Sequence, residues 1–277
     1  MHQFDAQGIY KMTYKVGFIG CGNMASAIIG GLIKNNCVNK EEIIAADAFE
    51  AALKKASTNL GIHTTSDNVE VAKNSDVLFL SVKPQYYEEV IAGIKDSIKE
   101  EQIIVTIAPG KTLSWLSERL GSDKKIVRTM PNTPALVGEG ITGVCKNNLV
   151  SDNEFEYVLK LLSSFGLAEA IPESLMDVCV SVSGSSPAYV FMFIEAMADA
   201  AVADGMPRAQ AYKFAAQAVL GSAKMVLETG KHPGELKDRV CSPAGTTIEA
   251  VRVLEEKGFR SAVIEGMKAC TAKARGL

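Results

Sequence analysis

The stretch KVGFIGCGNMASAIIGGLIKN, residues 15–35, decides the fold. Its first six residues, KVGFIG, are rich in β-formers and read as a strand. From Asn23 onward, apolar residues recur at helical spacing. Between strand and helix lie Gly20, Gly22 and Ala25, in the pattern G-x-G-x-x-A. The first glycine permits a tight turn, and the second lets the backbone approach a pyrophosphate. The helix that follows offers free N–H groups and the positive end of its dipole. The plain alternative is a βα turn with no ligand. The strand before and the helix after favour dinucleotide binding.

Working outward, EIIAAD (42–47), DVLFLSV (76–82), QIIVTIA (102–108) and KIVRTM (125–130) are further strands, and GITGVCK (140–146) adds a last one. A helix spans 50–60. Strands that alternate with helices build a parallel, doubly wound sheet. In such a sheet the ligand lies over the carboxyl ends of the strands. Asp47 ends the second strand. A carboxylate there accepts hydrogen bonds from both ribose hydroxyls of NAD and repels the 2′-phosphate of NADP. It is equally suited to capping the next helix. SVKPQ (81–85), APG (108–110) and RTMPNTPALVGEG (128–140) fall at the same edge. Each alone is an ordinary solvated turn, and as a set they point to a site.

After about residue 172 the pattern becomes helical. SSPAYVFMFIEAMADAAVADG (185–205) runs from a Ser cap and a Pro to a closing Gly, and 206–230 repeats that punctuation. Two more helices follow, from GTTIEAVRVLEEKG and FRSAVIEGMKACTAKA. The helix 187–204 is apolar all round, so it must be buried on all sides. Four helices provide too little cover, which implies a partner subunit. The expected division is an N-terminal extension (1–12), a dinucleotide-binding domain (13–171) and a helical substrate and dimerisation domain (172–277).

Among 277 residues, 47% are apolar, 22% are charged and the net charge is −3, so no broad basic surface for nucleic acid is implied. No apolar run is expected to be long enough to span a bilayer, and the N-terminus lacks the pattern of a secretory signal. The six cysteines show no C-x-x-C and no metal-ligand spacing, which suits reduced thiols and a cytoplasmic protein. His2, His63 and His232 all lie away from the strand-end loops. Carbonyl reduction usually needs a strong general acid. An imine is already partly protonated near neutral pH, and its reduction can rest on positioning alone.

GFIGCGNMA, DVLFLSVKPQ, RTMPNTPALVGEG, VSGSSPAYVF, DGMPRAQA and SPAGTTIEAVRVLEEKGFR together resemble the pyrroline-5-carboxylate reductase family, from Lys15 to the C-terminus. The resemblance implies a Rossmann-type α/β domain plus an all-α dimerisation domain. It also implies NADPH or NADH as cofactor, 1-pyrroline-5-carboxylate as substrate and L-proline as product. It implies at least a homodimer, with larger rings known in the family. Residues carried over to the cofactor are Gly20, Cys21, Gly22, Asn23, Met24, Asp47, Asn68, Val82, Lys83, Pro84, Ala108 and Gly110. Glu173 matches an acidic substrate-side position. Gly245, Thr246 and Thr247 match the loop whose N–H groups bind the substrate carboxylate, and the Thr247 hydroxyl faces the ring nitrogen as the catalytic group. Two departures stand out. Ala244 replaces the first glycine of the family's S-P-G-G loop, and Asp47 replaces a small or hydroxyl residue. A related hydroxyacid reductase would place a catalytic Lys on a second-domain helix, where Lys213 and Lys224 read as solvated. A regulator that only binds nucleotide is the rival from another class, and the largely intact SPAGTTIEA speaks against it.

Overall fold

The structure is a computed structural model and describes residues 3–4, 10–11 and 14–276. The expected extension, 1–12, lies largely outside the described residues. The chain divides into two compact units. One runs to Gly184 and takes the chain back from Lys273, and the other is Ser185–Ala272. The expected boundary at 171–172 lies inside the first of these units.

The first unit is built on an eight-stranded sheet. Its strands are β1 (Tyr14–Ile19), β2 (Ile43–Ala46), β3 (His63–Thr65), β4 (Ser75–Leu80), β5 (Ile103–Thr106), β6 (Lys125–Met130), β7 (Gly140–Lys146) and β8 (Gly166–Ala170). Their order is β8-β7-β6-β5-β4-β1-β2-β3. All neighbours are parallel except β6 and β7, which pair antiparallel. β3 and β8 are absent from the sequence reading. The first six strands have the doubly wound order, with the topological switch between β1 and β4.

Side-chain alternation sends residues to opposite faces of this sheet. Val16, Phe18, Val77 and Phe79 join one core with Ile28, Ile29 and Leu32 of α1 (Asn23–Lys34), Ala56 of α2 (Glu50–Leu60) and Val158 and Leu162 of α6 (Asp152–Leu162). Ile19, Ile44, Leu78 and Leu80 join the other, with Val71 of α3 (Asn68–Asn74), Tyr87 and Ile91 of α4 (Tyr87–Ile94) and Leu116 of α5 (Leu113–Leu120). Phe18 and Phe79 stack across β1 and β4 with ring centroids 4.8 Å apart. Each such buried side chain contributes about 1.5–3 kcal/mol. Gly17 of β1 is required by packing, because a Cβ there would lie 2.7 Å from the Val71 side chain.

Beyond β8, α7 (Met176–Cys179) passes into a π-helical turn, Val180–Gly184. The second unit holds α8 (Ser186–Ala203), α9 (Arg208–Thr229), α10 (Pro233–Val240), α11 (Thr246–Glu256) and α12 (Phe259–Ala274). α10 was not expected from the sequence. Of the second unit's hydrophobic residues only Ala198, Ala211 and Ala215 are buried, whereas Phe191 and Met192 of α8 are 63% and 69% exposed. The sequence expectation about membrane spans also needs correction. The continuous helical run Glu173–Ala203 is long and apolar enough, by length and composition, to cross a bilayer. The helical turns before Ser185 run on into α8, which lengthens the apolar run beyond the helix expected at 185–205.

Candidate active site

The exit of β1 is stitched to its neighbours. The Gly20 N–H donates to the Ala46 carbonyl at 2.7 Å, and the Ser81 N–H donates to the Ile19 carbonyl at 2.8 Å. Gly20 has φ +104°, and a Cβ there would lie 2.7 Å from the Ser81 carbonyl oxygen. This turn therefore excludes any side chain. Gly22 is the N-cap of α1, makes no side-chain cap and has no atom within 4 Å of where its Cβ would stand. The first-turn N–H groups have no intrahelical acceptor, and the space beside Gly22 is open. Ser81 Oγ, beside Gly20, is buried without a hydrogen-bond partner among the described residues. An open glycine cradle, free helix donors and an orphaned hydroxyl fit a dinucleotide pyrophosphate.

The parallel topology brings the other predicted cofactor residues to the same edge. Asp47 follows β2, Asn68 opens α3 just beyond β3, Val82, Lys83 and Pro84 follow β4, and Ala108 and Gly110 follow β5. Lys83 is exposed, Ala108 is buried and Gly110 is left-handed at φ +74°. Asp47 does more than end its strand. One carboxylate oxygen accepts the Cys21 N–H at 2.7 Å, and the other accepts the Phe49 N–H at 2.9 Å. It therefore braces the glycine turn, while Phe49 is the N-cap of α2. Burial, aided by the Asp47 charge, pushes the Cys21 thiol up to about 12, so it stays protonated and packs as a small apolar group. Tyr87 ties two strand ends: its hydroxyl donates to the Leu80 carbonyl at 2.6 Å and accepts the Ile107 N–H at 3.4 Å. Asn132 is spent on scaffolding, donating to the Ser183 carbonyl at 3.1 Å and accepting the Ile141 N–H at 2.9 Å.

Glu173 belongs to the first unit. Its Oε1 accepts from the Leu113 N–H at 2.7 Å and from Arg128 Nη1 at 2.9 Å. Sequence reasoning passed over Arg128. The available signal was an arginine set among the apolar Ile126, Val127 and Met130 of the strand KIVRTM. In the second unit, Ser242–Gly245 form a turn that opens α11. The Gly245 N–H donates to the Ser242 carbonyl at 3.0 Å and is therefore committed within the turn. The N–H groups of Thr246 and Thr247 open the helix, which has no side-chain cap, so they have no intrahelical acceptor. Ala244 holds φ +55°, a left-handed conformation costly for a residue with a Cβ. Lys213 is exposed, and Lys224 pairs with Glu228 at 3.4 Å on the surface of α9.

Two family models match these two parts. Residues 173–277 match pyrroline-5-carboxylate reductase dimerisation, and residues 15–110 match NADP oxidoreductase coenzyme F420-dependent. The pyrroline-5-carboxylate reductase of Escherichia coli (strain K12) is 55% identical over 96% of this chain and 99% of its own. The chain belongs to the pyrroline-5-carboxylate reductase family. The family's reductase from Methanosarcina acetivorans is 44% identical over 95% of this chain and 97% of its own. A Plasmodium falciparum pyrroline carboxylate reductase, solved with NADP bound, superposes with a TM-score of 0.86 at 32% identity, covering 96% and 98% of the two chains. Prephenate dehydrogenase from Aquifex aeolicus, at 16% identity and a TM-score of 0.54, shares the fold alone. The helical second unit falls within the reductase family's dimerisation domain. Exposed apolar residues in this unit suit a dimerisation domain.

Proposed function

We propose that this chain reduces the C=N bond of 1-pyrroline-5-carboxylate with NAD(P)H to give L-proline. The observation that carries the reading is the loop Ser242–Thr247. It is an anion-ready helix start that contains no acid or base of its own. The substrate carboxylate sits on the N–H groups of Thr246 and Thr247, and Gly245 shapes the turn beneath them. The Thr247 hydroxyl hydrogen-bonds the ring nitrogen and orients the imine. Glu173 lies on the substrate side, where a carboxylate favours the protonated imine.

Gly20, Cys21, Gly22, Asn23 and Met24 hold the pyrophosphate of the cofactor. Asp47 accepts from the adenosine ribose, and Asn68, Val82, Lys83, Pro84, Ala108 and Gly110 line the remaining edge. When bound, NAD(P)H supplies the hydride. The protein's part is to position and to balance charge, which suits a substrate that already carries a proton. The active form is at least a homodimer and extends to the larger rings of the family. Six unpaired cysteines support a reducing, cytoplasmic setting. The test is deuterium transfer. With the purified chain, 1-pyrroline-5-carboxylate and NADPH deuterated at nicotinamide C4, proline forms with deuterium on the carbon formerly double-bonded to nitrogen. Unlabelled proline, or none, overturns the reading.

A further inference from the structure

Arg128 lies within β6, flanked by buried Val127 and Thr129, and its side chain is only 3% exposed. A guanidinium keeps its charge under all ordinary conditions, so burial demands acceptors. Nη1 donates to Glu173 Oε1 at 2.9 Å, and Nη2 stands 3.7 Å from Asp177 Oδ1. Nε and Nη2 are buried without a hydrogen bond among the described residues. An arginine kept only for stability would be expected to use these donors, because buried polar groups are normally satisfied.

The acceptor is more informative than the donor. Glu173 Oε1 also receives the Leu113 N–H at 2.7 Å. Leu113 ends the loop that leaves β5 through Ala108 and Gly110. One oxygen thus joins three separate stretches: β6, the exit of β5, and the segment that opens the dimerisation sequence. Oε2 of the same carboxylate makes no hydrogen bond among the described residues.

We infer that Arg128 is a positioning residue for the reaction, acting through Glu173: it pins Oε1 against the loop after β5 and leaves Oε2 for the substrate. This rests on the reading of Glu173 as a substrate-side group.

Four variants test it by steady-state kinetics, cofactor binding and thermal unfolding: Glu173→Gln, Arg128→Met, Arg128→Lys and the double variant Arg128→Met/Glu173→Gln. Glu173→Gln is expected to raise KM for 1-pyrroline-5-carboxylate roughly tenfold, with NADPH affinity within about twofold of the parent. Arg128→Met is expected to reproduce that split, and Arg128→Lys to fall between it and the parent. The double variant is expected to be no worse than the worse single, as for groups acting through one another. If Arg128→Met does not fold, Arg128→Lys and the double variant decide. Parental KM in the Arg128 variants beside a raised KM in Glu173→Gln overturns the proposal alone. So does a joint fall of kcat, cofactor affinity and melting temperature without a KM split. An unchanged KM in Glu173→Gln removes the substrate-side reading and the proposal with it. No turnover by the parent chain sinks the proposed function itself.

Discussion

The two units solve the burial problem in opposite ways. The first is covered on both faces of its sheet by its own helices, and residues such as Phe18, Ile28, Phe79 and Leu80 are closed off within one chain. The second buries three alanines and leaves Phe191, Met192, Phe214 and Leu227 exposed. The cofactor edge is therefore built by a self-sufficient core. The proposed substrate loop stands on a unit that leaves its apolar residues uncovered within one chain. From this contrast we propose that dimerisation is part of folding the proposed substrate site, while nucleotide binding belongs to the single chain.

The sharpest way to break that contrast is a charge on α8. Phe191→Asp is expected to give a monomer by sedimentation velocity, with proline formation lost and NADPH binding retained. A monomer of parental activity would end the idea that the second unit needs its partner. Next in size is Thr247→Ala, expected to lower kcat/KM on the order of 100-fold, with cofactor affinity unchanged by fluorescence titration. Asp47→Ser acts on the other unit. Removing the carboxylate releases the Cys21 and Phe49 N–H groups and admits a 2′-phosphate. Affinity for NADH is expected to fall, and the NADPH-to-NADH ratio of kcat/KM to rise about tenfold. A constant ratio would leave Asp47 as a brace only. The smallest effect is Ala244→Gly. Relieving the left-handed alanine stabilises the loop by about 1 kcal/mol, read as a melting temperature higher by about 2–4 °C.

The same contrast decides what was legible in the sequence. The glycine turn, six of the eight strands and the helices α1 and α2 follow from local pattern, because a self-contained α/β core writes its periodicity into the chain. KIVRTM and the helix 50–60 fall where they were placed. β3 is three residues of HTT at an exposed edge, and β8 is GLAEA, whose alanines and glutamate do not favour strand. Both are strands because a neighbouring strand pairs with them, a tertiary effect that propensity does not record. α10, with the polar sequence PGELKDRV, has no apolar stripe to read. For the site, residue types and their order along the chain were enough to gather the cofactor edge. Long-range hydrogen bonds were not: Asp47 to Cys21, Glu173 to Leu113 and Arg128, and Asn132 to Ser183 join residues 26 to 60 positions apart. Ala244 lies between these cases. Its departure from the glycine pattern was visible, and the structure adds that the backbone there is left-handed.

The most direct measurement is oxidation of NADPH and of NADH by the purified chain, each with and without 1-pyrroline-5-carboxylate, followed at the reduced nicotinamide absorbance. The account predicts substrate-dependent oxidation with at least one cofactor, matched mole for mole by L-proline. Oxidation that ignores the substrate, or none with either cofactor, would contradict it.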